Sequence, residues 1–117
     1  MKLKLFINIG IAIAVVTSLS VEAETTTGVV TRLRTTTSAE ETIYFQLNSM
    51  PSGVTQWFYL RSGSGSAAGC PLTEDKDALT RAYSMLLAAK SSSQKISIGY
   101  CLDPNGYGLV NQYVELP

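Results

Sequence analysis

The feature that most constrains this chain is a pair of cysteines, Cys70 and Cys101, which stand on either side of its one clear helical segment. The chain has no other cysteine and no histidine. In an oxidising compartment two thiols have only one intramolecular pairing, so we expect a Cys70–Cys101 disulfide; the alternatives are free thiols or a bond between two molecules. Closing a loop of about 30 residues would stabilise a small domain by roughly 3–4 kcal/mol in the chain-entropy account.

The start of the chain, residues 1–23, has the pattern of a secretory signal peptide. Its positive start, apolar middle and small-residue cleavage site are Lys2 and Lys4, Leu5–Val16 and Val21-Glu22-Ala23. The alternative is a membrane anchor, but an apolar stretch of about 12–15 residues is shorter than the roughly 20 that a spanning helix needs. We therefore expect an exported protein, periplasmic or secreted, whose mature part, residues 24–117, is a single domain.

The charges of the mature part nearly cancel. Seven arginines and lysines face eight carboxylates after residue 23, for a net charge of −1. A nucleic-acid binder needs a basic surface to meet phosphates, and a membrane-bound segment needs a polybasic or amphipathic stretch. The sequence therefore predicts no nucleic-acid partner and no membrane insertion of the mature chain.

Hydrophobic periodicity and turn residues predict five strands and one helix in the order β-β-β-α-β-β. The predicted strands are Gly28–Thr36, Thr42–Asn48, Val54–Leu60, Lys95–Cys101 and Leu109–Leu116, and the predicted helix is Glu74–Lys90. A helix between the third and fourth of five strands is typical of the OB-fold, a five-stranded Greek-key barrel. The alternative is a small open α+β sheet with one covering helix.

Three local expectations accompany these elements. Thr73 is the predicted N-cap of the helix. Met85, Leu87 and Ala88 widen its apolar stripe, which predicts burial on more than one side. The segment Ser62–Gly69 is rich in glycine and serine, so we expect a flexible tether that lets Cys70 reach Cys101.

Three segments carry a resemblance to known proteins: Gly28-Val29-Val30, Ala82–Lys90 and Cys101-Leu102-Asp103-Pro104-Asn105-Gly106. In these the chain resembles small exported OB-fold proteins of Gram-negative bacteria, most of them uncharacterised. In its layout it is also similar to the B subunits of AB5 toxins of the subtilase cytotoxin type. This second likeness implies an exported, disulfide-bonded subunit that forms a ring and binds glycans, but no sugar-contacting motif can be carried over residue by residue.

The composition argues against an enzyme. Without histidine, a Ser-His-Asp triad and a histidine zinc site are impossible, and a disulfide removes both thiols from catalysis and metal binding. The acidic groups Glu40-Glu41, Glu74–Asp77 and Asp103–Gly106 are explained by a solvated turn, a helix start and a tight turn. We therefore predict no catalytic residue, no metal site and no cofactor.

The candidate binding residues are aromatic and amide side chains. Ligands of OB-folds bind to strands two and three and to the loops that join strands 1–2 and 4–5. In this chain those regions are Thr35–Glu41, alternate residues from Tyr44 to Asn48, Trp57, Tyr59 and Asn105–Tyr107; the predicted contacts are Tyr44, Gln46, Trp57, Tyr59, Asn105 and Tyr107. Core packing is the alternative for Trp57, and a subunit interface is the alternative for the exposed aromatic residues.

These observations predict a non-enzymatic exported binding module that recognises a glycan or another ligand through its β-barrel face, and that forms a ring-shaped homo-oligomer. The alternative function is a protein-binding one, as an inhibitor or an accessory subunit of an envelope or secreted complex.

Overall fold

A computed structural model of the protein describes residues 24–36, 41–63, 65–67, 69–72 and 75–117. The predicted signal peptide, residues 1–23, lies outside these ranges, as do Thr73 and most of the first interstrand loop. Within the described residues, no helix is both long enough and apolar enough to cross a membrane.

The described chain is mainly β with one helix, as predicted. Its elements are β1 (Glu24–Thr35), β2 (Thr42–Leu47), β3 (Phe58–Arg61), β4 (Ser66–Ala67), β5 (Cys70–Pro71), α1 (Lys76–Ser92), β6 (Lys95–Leu102) and β7 (Gly108–Glu115). The two shortest strands, β4 and β5, pair only with each other, so the segment expected to be a flexible tether is partly a small hairpin.

The other five strands form a ring in the order β1-β2-β3-β7-β6, which returns to β1. The long strand β1 closes it, because Glu24–Val29 pairs with β6 and the remainder pairs with β2. All pairings are antiparallel except that of β3 with β7, which is parallel and joins only Phe58 to Gly108 and Tyr59 to Leu109.

The core fills the inside of this ring. In β2 the alternation predicts the faces correctly, since Ile43, Phe45 and Leu47 are buried while the residues between them are half-exposed. The Phe58 ring stacks on Phe45, with centroids 5.3 Å apart, and meets the edge of Tyr100 at 5.1 Å. The other members of this cluster are Val30, Val54, Leu60, Leu79, Leu86, Ala89, Ile96, Ile98 and Val110.

The helix α1 begins and packs differently from the prediction. Its N-cap is Asp75, whose Oδ1 accepts a hydrogen bond from the Asp77 N–H at 2.8 Å, and its first residue is Lys76; Thr73 and Glu74, the predicted cap and first residue, lie outside the described residues. It buries one face, whereas Ala88 is exposed and Leu87 is 46% exposed. The expected burial on more than one side is therefore wrong, because leucine and alanine are also strong helix formers and occur on solvated faces.

The bounds of the third and the last strand of the ring differ from the predicted bounds. The third strand starts at Phe58 and not at Val54, because the Val54 N–H bonds to the Pro51 carbonyl and the next two N–H groups bond to the Gly106 carbonyl. The last strand, β7, ends at Glu115, so Leu116, the last residue of the predicted strand, lies outside it and is 41% exposed.

The predicted disulfide is present. Cys70 in β5 is bonded to Cys101 in β6, which joins the hairpin before the helix to the wall of the ring. Both cysteines are buried in a second, smaller cluster on the outer side of the sheet, with Tyr59 and Leu109.

Candidate ligand-binding face

The outward side of β1, β2 and the β3 region presents aromatic and guanidinium groups side by side. We call this surface the aromatic–arginine face; its members are Arg32, Arg34, Tyr44, Gln46, Trp57, Tyr59 and Arg61. Strand register creates it. Arg34 lies opposite Tyr44, and Tyr44 lies opposite Tyr59, so one row crosses three neighbouring strands.

Trp57 belongs to this face and not to the core. It is half-buried, it joins neither buried cluster, and its ring has the guanidinium carbons of Arg32 and Arg34 at 4.7 and 4.5 Å from its centroid. Tyr44 meets Trp57 edge to face, with centroids 6.2 Å apart, and also lies under Arg34. Sugar stacking on Trp57 would therefore compete with two arginines.

Tyr59, a predicted ligand contact, is almost completely buried. Only 6% of it is exposed, because it packs against the disulfide and Leu109 on the outer side of the sheet. Burial, and then the nearby Asp103 carboxylate, raises the pKa of Tyr59 above its ordinary value of 10.0, although the Arg61 guanidinium acts in the opposite direction. The hydroxyl is therefore a neutral donor and acceptor at physiological pH.

A cavity of about 300 Å³ opens beside this face. Its lining comes from β2, β3, β4 and the β6–β7 turn, and comprises Tyr44, Tyr59, Arg61, Ala67, Asp103, Asn105 and Tyr107. Four of the six predicted binding residues thus meet at one site: Tyr44, Tyr59, Asn105 and Tyr107. The Tyr59 and Tyr107 rings meet edge to face there, with centroids 6.1 Å apart.

The β6–β7 turn holds its residues in place by its own hydrogen bonds. The Asp103 Oδ1 accepts from the Asn105 N–H at 2.8 Å, and the Asp103 N–H donates to the Tyr107 carbonyl at 2.7 Å. Gly106, at φ 90°, donates to the Asp103 carbonyl and accepts from the N–H groups of Thr55 and Gln56. These last two bonds join the turn to the segment that leads into Trp57.

The remaining predicted residues have other positions. Gln46 and Trp57 lie beside the cavity, and the Gln46 amide donates to the Gln56 carbonyl at 2.8 Å. Asn48 accepts from the Val29 N–H at 2.9 Å, so its amide oxygen supports the strand ends. In the loop region Thr35–Glu41, the described residues Thr35, Thr36 and Glu41 line a different cavity of about 230 Å³ beside α1.

The arginines of the face were not among the predicted contacts. Arg32 and Arg34 stand two residues apart around Leu33, which packs on the core, so period two in β1 could have placed both on the outer side. A near-zero net charge gives no sign of them, since a balanced total conceals a local concentration of positive charge.

The arrangement suits non-covalent recognition, because it combines aromatic rings, amide groups and guanidinium donors around an open cavity. Within the described parts of the chain, no group of three or more aspartate, glutamate, cysteine or histidine residues is placed to hold a metal ion. Compared with protein-family models, with curated proteins and with solved structures, the chain matches none.

Proposed function

We propose that this protein is an exported, non-enzymatic OB-fold module that binds a sugar ligand at the cavity beside its aromatic–arginine face. The observation that carries the proposal is the convergence of Tyr44, Tyr59, Asn105 and Tyr107, from three separate parts of the chain, on one cavity. These residues belong to the second and third strands and to the last interstrand turn, which are the ligand-binding regions of OB-folds.

The strand ring supports the OB-fold part of the proposal. Five strands close through β1, the helix lies between the third and fourth of them, and the last strand runs parallel to the third. This order agrees with the strand-and-helix order of a five-stranded Greek-key barrel.

The chemistry of the cavity supports a sugar. A volume of about 300 Å³ is at the small end of ligand pockets, which suits one or two sugar rings. Tyrosine rings offer apolar faces for sugar C–H groups, and tyrosine hydroxyls and the Asn105 amide offer donors and acceptors for sugar hydroxyls. The disulfide, together with the signal-like first 23 residues, supports export.

Binding to an immobilised panel of oligosaccharides, followed by titration calorimetry, tests this function. We expect Tyr107→Ala to weaken binding by about tenfold or more, equal to ~1.4 kcal/mol, because it removes one wall of the cavity. Leu87→Ala is the control, since Leu87 is an exposed apolar residue of α1 that does not line this cavity, and it should leave affinity unchanged. Folded protein that binds no sugar on the panel would refute the proposal.

A second observation favours assembly with another copy of the chain. Beyond its short pairing with β3, the strand β7 pairs only with β6 in the described structure, and a groove of about 470 Å³ separates it from α1. Pairing of a neighbour's β3 edge with this β7 edge would be a head-to-tail contact, which generates a ring when the rotation closes. A foreign protein seated on the same edge is the alternative, and it corresponds to the inhibitor or accessory-subunit function.

A further inference from the structure

The arginines of the protein cluster on one surface, and the lysines lie on others. The sequence has four arginines, and three of them, Arg32, Arg34 and Arg61, belong to the aromatic–arginine face. The lysines after residue 23 lie elsewhere, on α1 and at the start of β6. Arginine offers a planar fork of N–H donors that fits two oxygens of a carboxylate, sulfate or phosphate, whereas lysine is a point charge.

Arg32 and Arg34 keep their hydrogen-bonding capacity. Both are exposed, and in the described structure neither forms an ion pair or a side-chain hydrogen bond; the ion pairs there join Lys76 to Glu41 and Arg81 to Asp75. Each guanidinium lies over the ring of Trp57, and a stacked guanidinium uses its flat face while the N–H donors remain at its rim. The aromatic rings therefore hold two donor forks in place ahead of any ligand.

The face is electrostatically asymmetric. Its Arg32–Arg34 end has no carboxylate in contact among the described residues, whereas the cavity end includes Asp103. Arg61 also lines the cavity, 5.5 Å from the Tyr59 ring, with its Nε donating to the Thr42 hydroxyl at 3.2 Å, so its charge and that of Asp103 offset each other there. An anionic group is thus favoured at the Arg32–Arg34 end, and a neutral ring is favoured beside Asp103.

We propose that the ligand is an acidic sugar, whose carboxylate or sulfate ester accepts hydrogen bonds from Arg32 and Arg34 while an adjoining ring occupies the cavity of Tyr44 and Tyr107. This inference rests on the proposed sugar-binding function and adds the charge and the orientation of the ligand. Single-stranded nucleic acid also pairs anionic groups with stacked rings, but three arginines in a chain of net charge −1 after residue 23 do not form a groove that tracks a phosphate backbone.

Trp57 fluorescence provides the readout, because it is the only tryptophan and both arginines contact it. The probes are a heparin-derived hexasaccharide for sulfate, a hyaluronan hexasaccharide for carboxylate, chitohexaose as the neutral sugar and a thymidine hexanucleotide. We expect at least one acidic sugar to bind about tenfold or more tighter than chitohexaose, with affinity that falls between 50 and 500 mM salt because exposed charges are screened. The two acidic probes distinguish a sulfate ligand from a carboxylate ligand.

The variants Arg32→Gln and Arg34→Gln should each weaken acidic-sugar binding by about tenfold, since each loses a charge-assisted contact. Arg32→Lys and Arg34→Lys should recover only part of this loss, because they keep the charge without the fork. Lys90→Gln is the control: it removes the same charge from an exposed residue of α1 that lines neither the cavity nor the groove, and it should leave binding unchanged.

The outcomes separate this inference from the function on which it rests. Equal binding of chitohexaose and the acidic sugars, with no effect of the Arg32 and Arg34 variants, would overturn the acidic-ligand inference and leave sugar binding in place. Tighter binding of the hexanucleotide than of every sugar would overturn both in favour of a nucleic-acid ligand. Folded protein that binds no probe and no sugar of the panel would also refute both.

Discussion

At the scale of single residues, Gly106 has the most constrained position at the candidate site. Its φ of 90° is strained for any L-residue with a side chain, and a Cβ there would contact the Thr55 hydroxyl. We expect Gly106→Ala to lower the free energy of unfolding by about 1–3 kcal/mol, measured by urea denaturation. Gly65→Ala is the control, because Gly65 also has positive φ, at 103°, but has no atom within 4 Å of the added methyl group. Equal losses for both variants would show that the Thr55 contact imposes no constraint.

The buried tyrosines make stability depend on pH in alkaline solution. Burial raises the pKa of both Tyr59 and Tyr100 above 10.0; the second contribution comes from Asp103 for Tyr59 and from Glu24 for Tyr100. Because the unfolded chain loses these protons first, their contribution is fully present below about pH 10 and is lost as pH rises through the folded-state pKa values. We expect Tyr59→Phe to make the decline in melting temperature between pH 9 and 11 shallower, without removing it. An unchanged slope would contradict this account of Tyr59.

At the scale of secondary-structure elements, the disulfide connects the hairpin of β4 and β5 to the sheet beneath the cavity. From the sequence, its reduction should loosen the helix and spare the ligand face. In the structure Tyr59 belongs to the same buried cluster as both cysteines and Tyr107 packs against that cluster, so we expect reduction to affect the ligand face as well. We expect the double variant Cys70→Ser/Cys101→Ser to lose roughly 3–4 kcal/mol of stability by the chain-entropy account, and also to bind ligand more weakly at a temperature where it remains folded.

Calorimetric binding of the double variant, with circular dichroism to establish folding, measures both effects. Leu87→Ala serves as the control and should change neither stability nor ligand binding appreciably, because Leu87 lies on the exposed side of α1, away from the cavity. If the folded double variant bound ligand as tightly as the wild type, the disulfide would have no part in shaping the cavity.

The elements were predictable where the pattern is local. Strict alternation identifies β2 and β6 with their buried faces, and the Asp103–Gly106 turn follows from its residues. The start of β3 was not predictable, because the N–H groups of Thr55 and Gln56 bond to a carbonyl some 50 residues away in sequence. The start of α1 could have been predicted at either of two nearby residues, since Asp75 is as good an N-cap as Thr73.

At the scale of the whole molecule, the order of elements was predictable and the geometry of the face was only partly so. Tyr44, Tyr59, Asn105 and Tyr107 could be grouped from the sequence because the order of elements predicted the OB-fold, whose ligand regions contain them. The covering of Tyr59 by the disulfide and the stacking of two arginines on Trp57 depend on strand register and on side-chain packing across the sheet. Neither is encoded in any one segment of the chain.

The β7 edge and its groove are present on every copy of the chain, so each copy can contribute the same contact to a ring. We expect the purified chain to have a light-scattering mass several times that of the 12.6 kDa sequence, reduced by any cleaved signal, at micromolar concentration. Tyr113, exposed on β7 and lining the groove, should be covered in the ring, so Tyr113→Lys should shift the protein to the monomer by placing an unpaired charge in the contact. Leu87→Lys, an equivalent change on α1 outside the groove, should leave the mass unchanged. A wild-type monomer across this range would exclude the ring, and capture of a different exported protein that Tyr113→Lys abolishes would assign the groove to that partner.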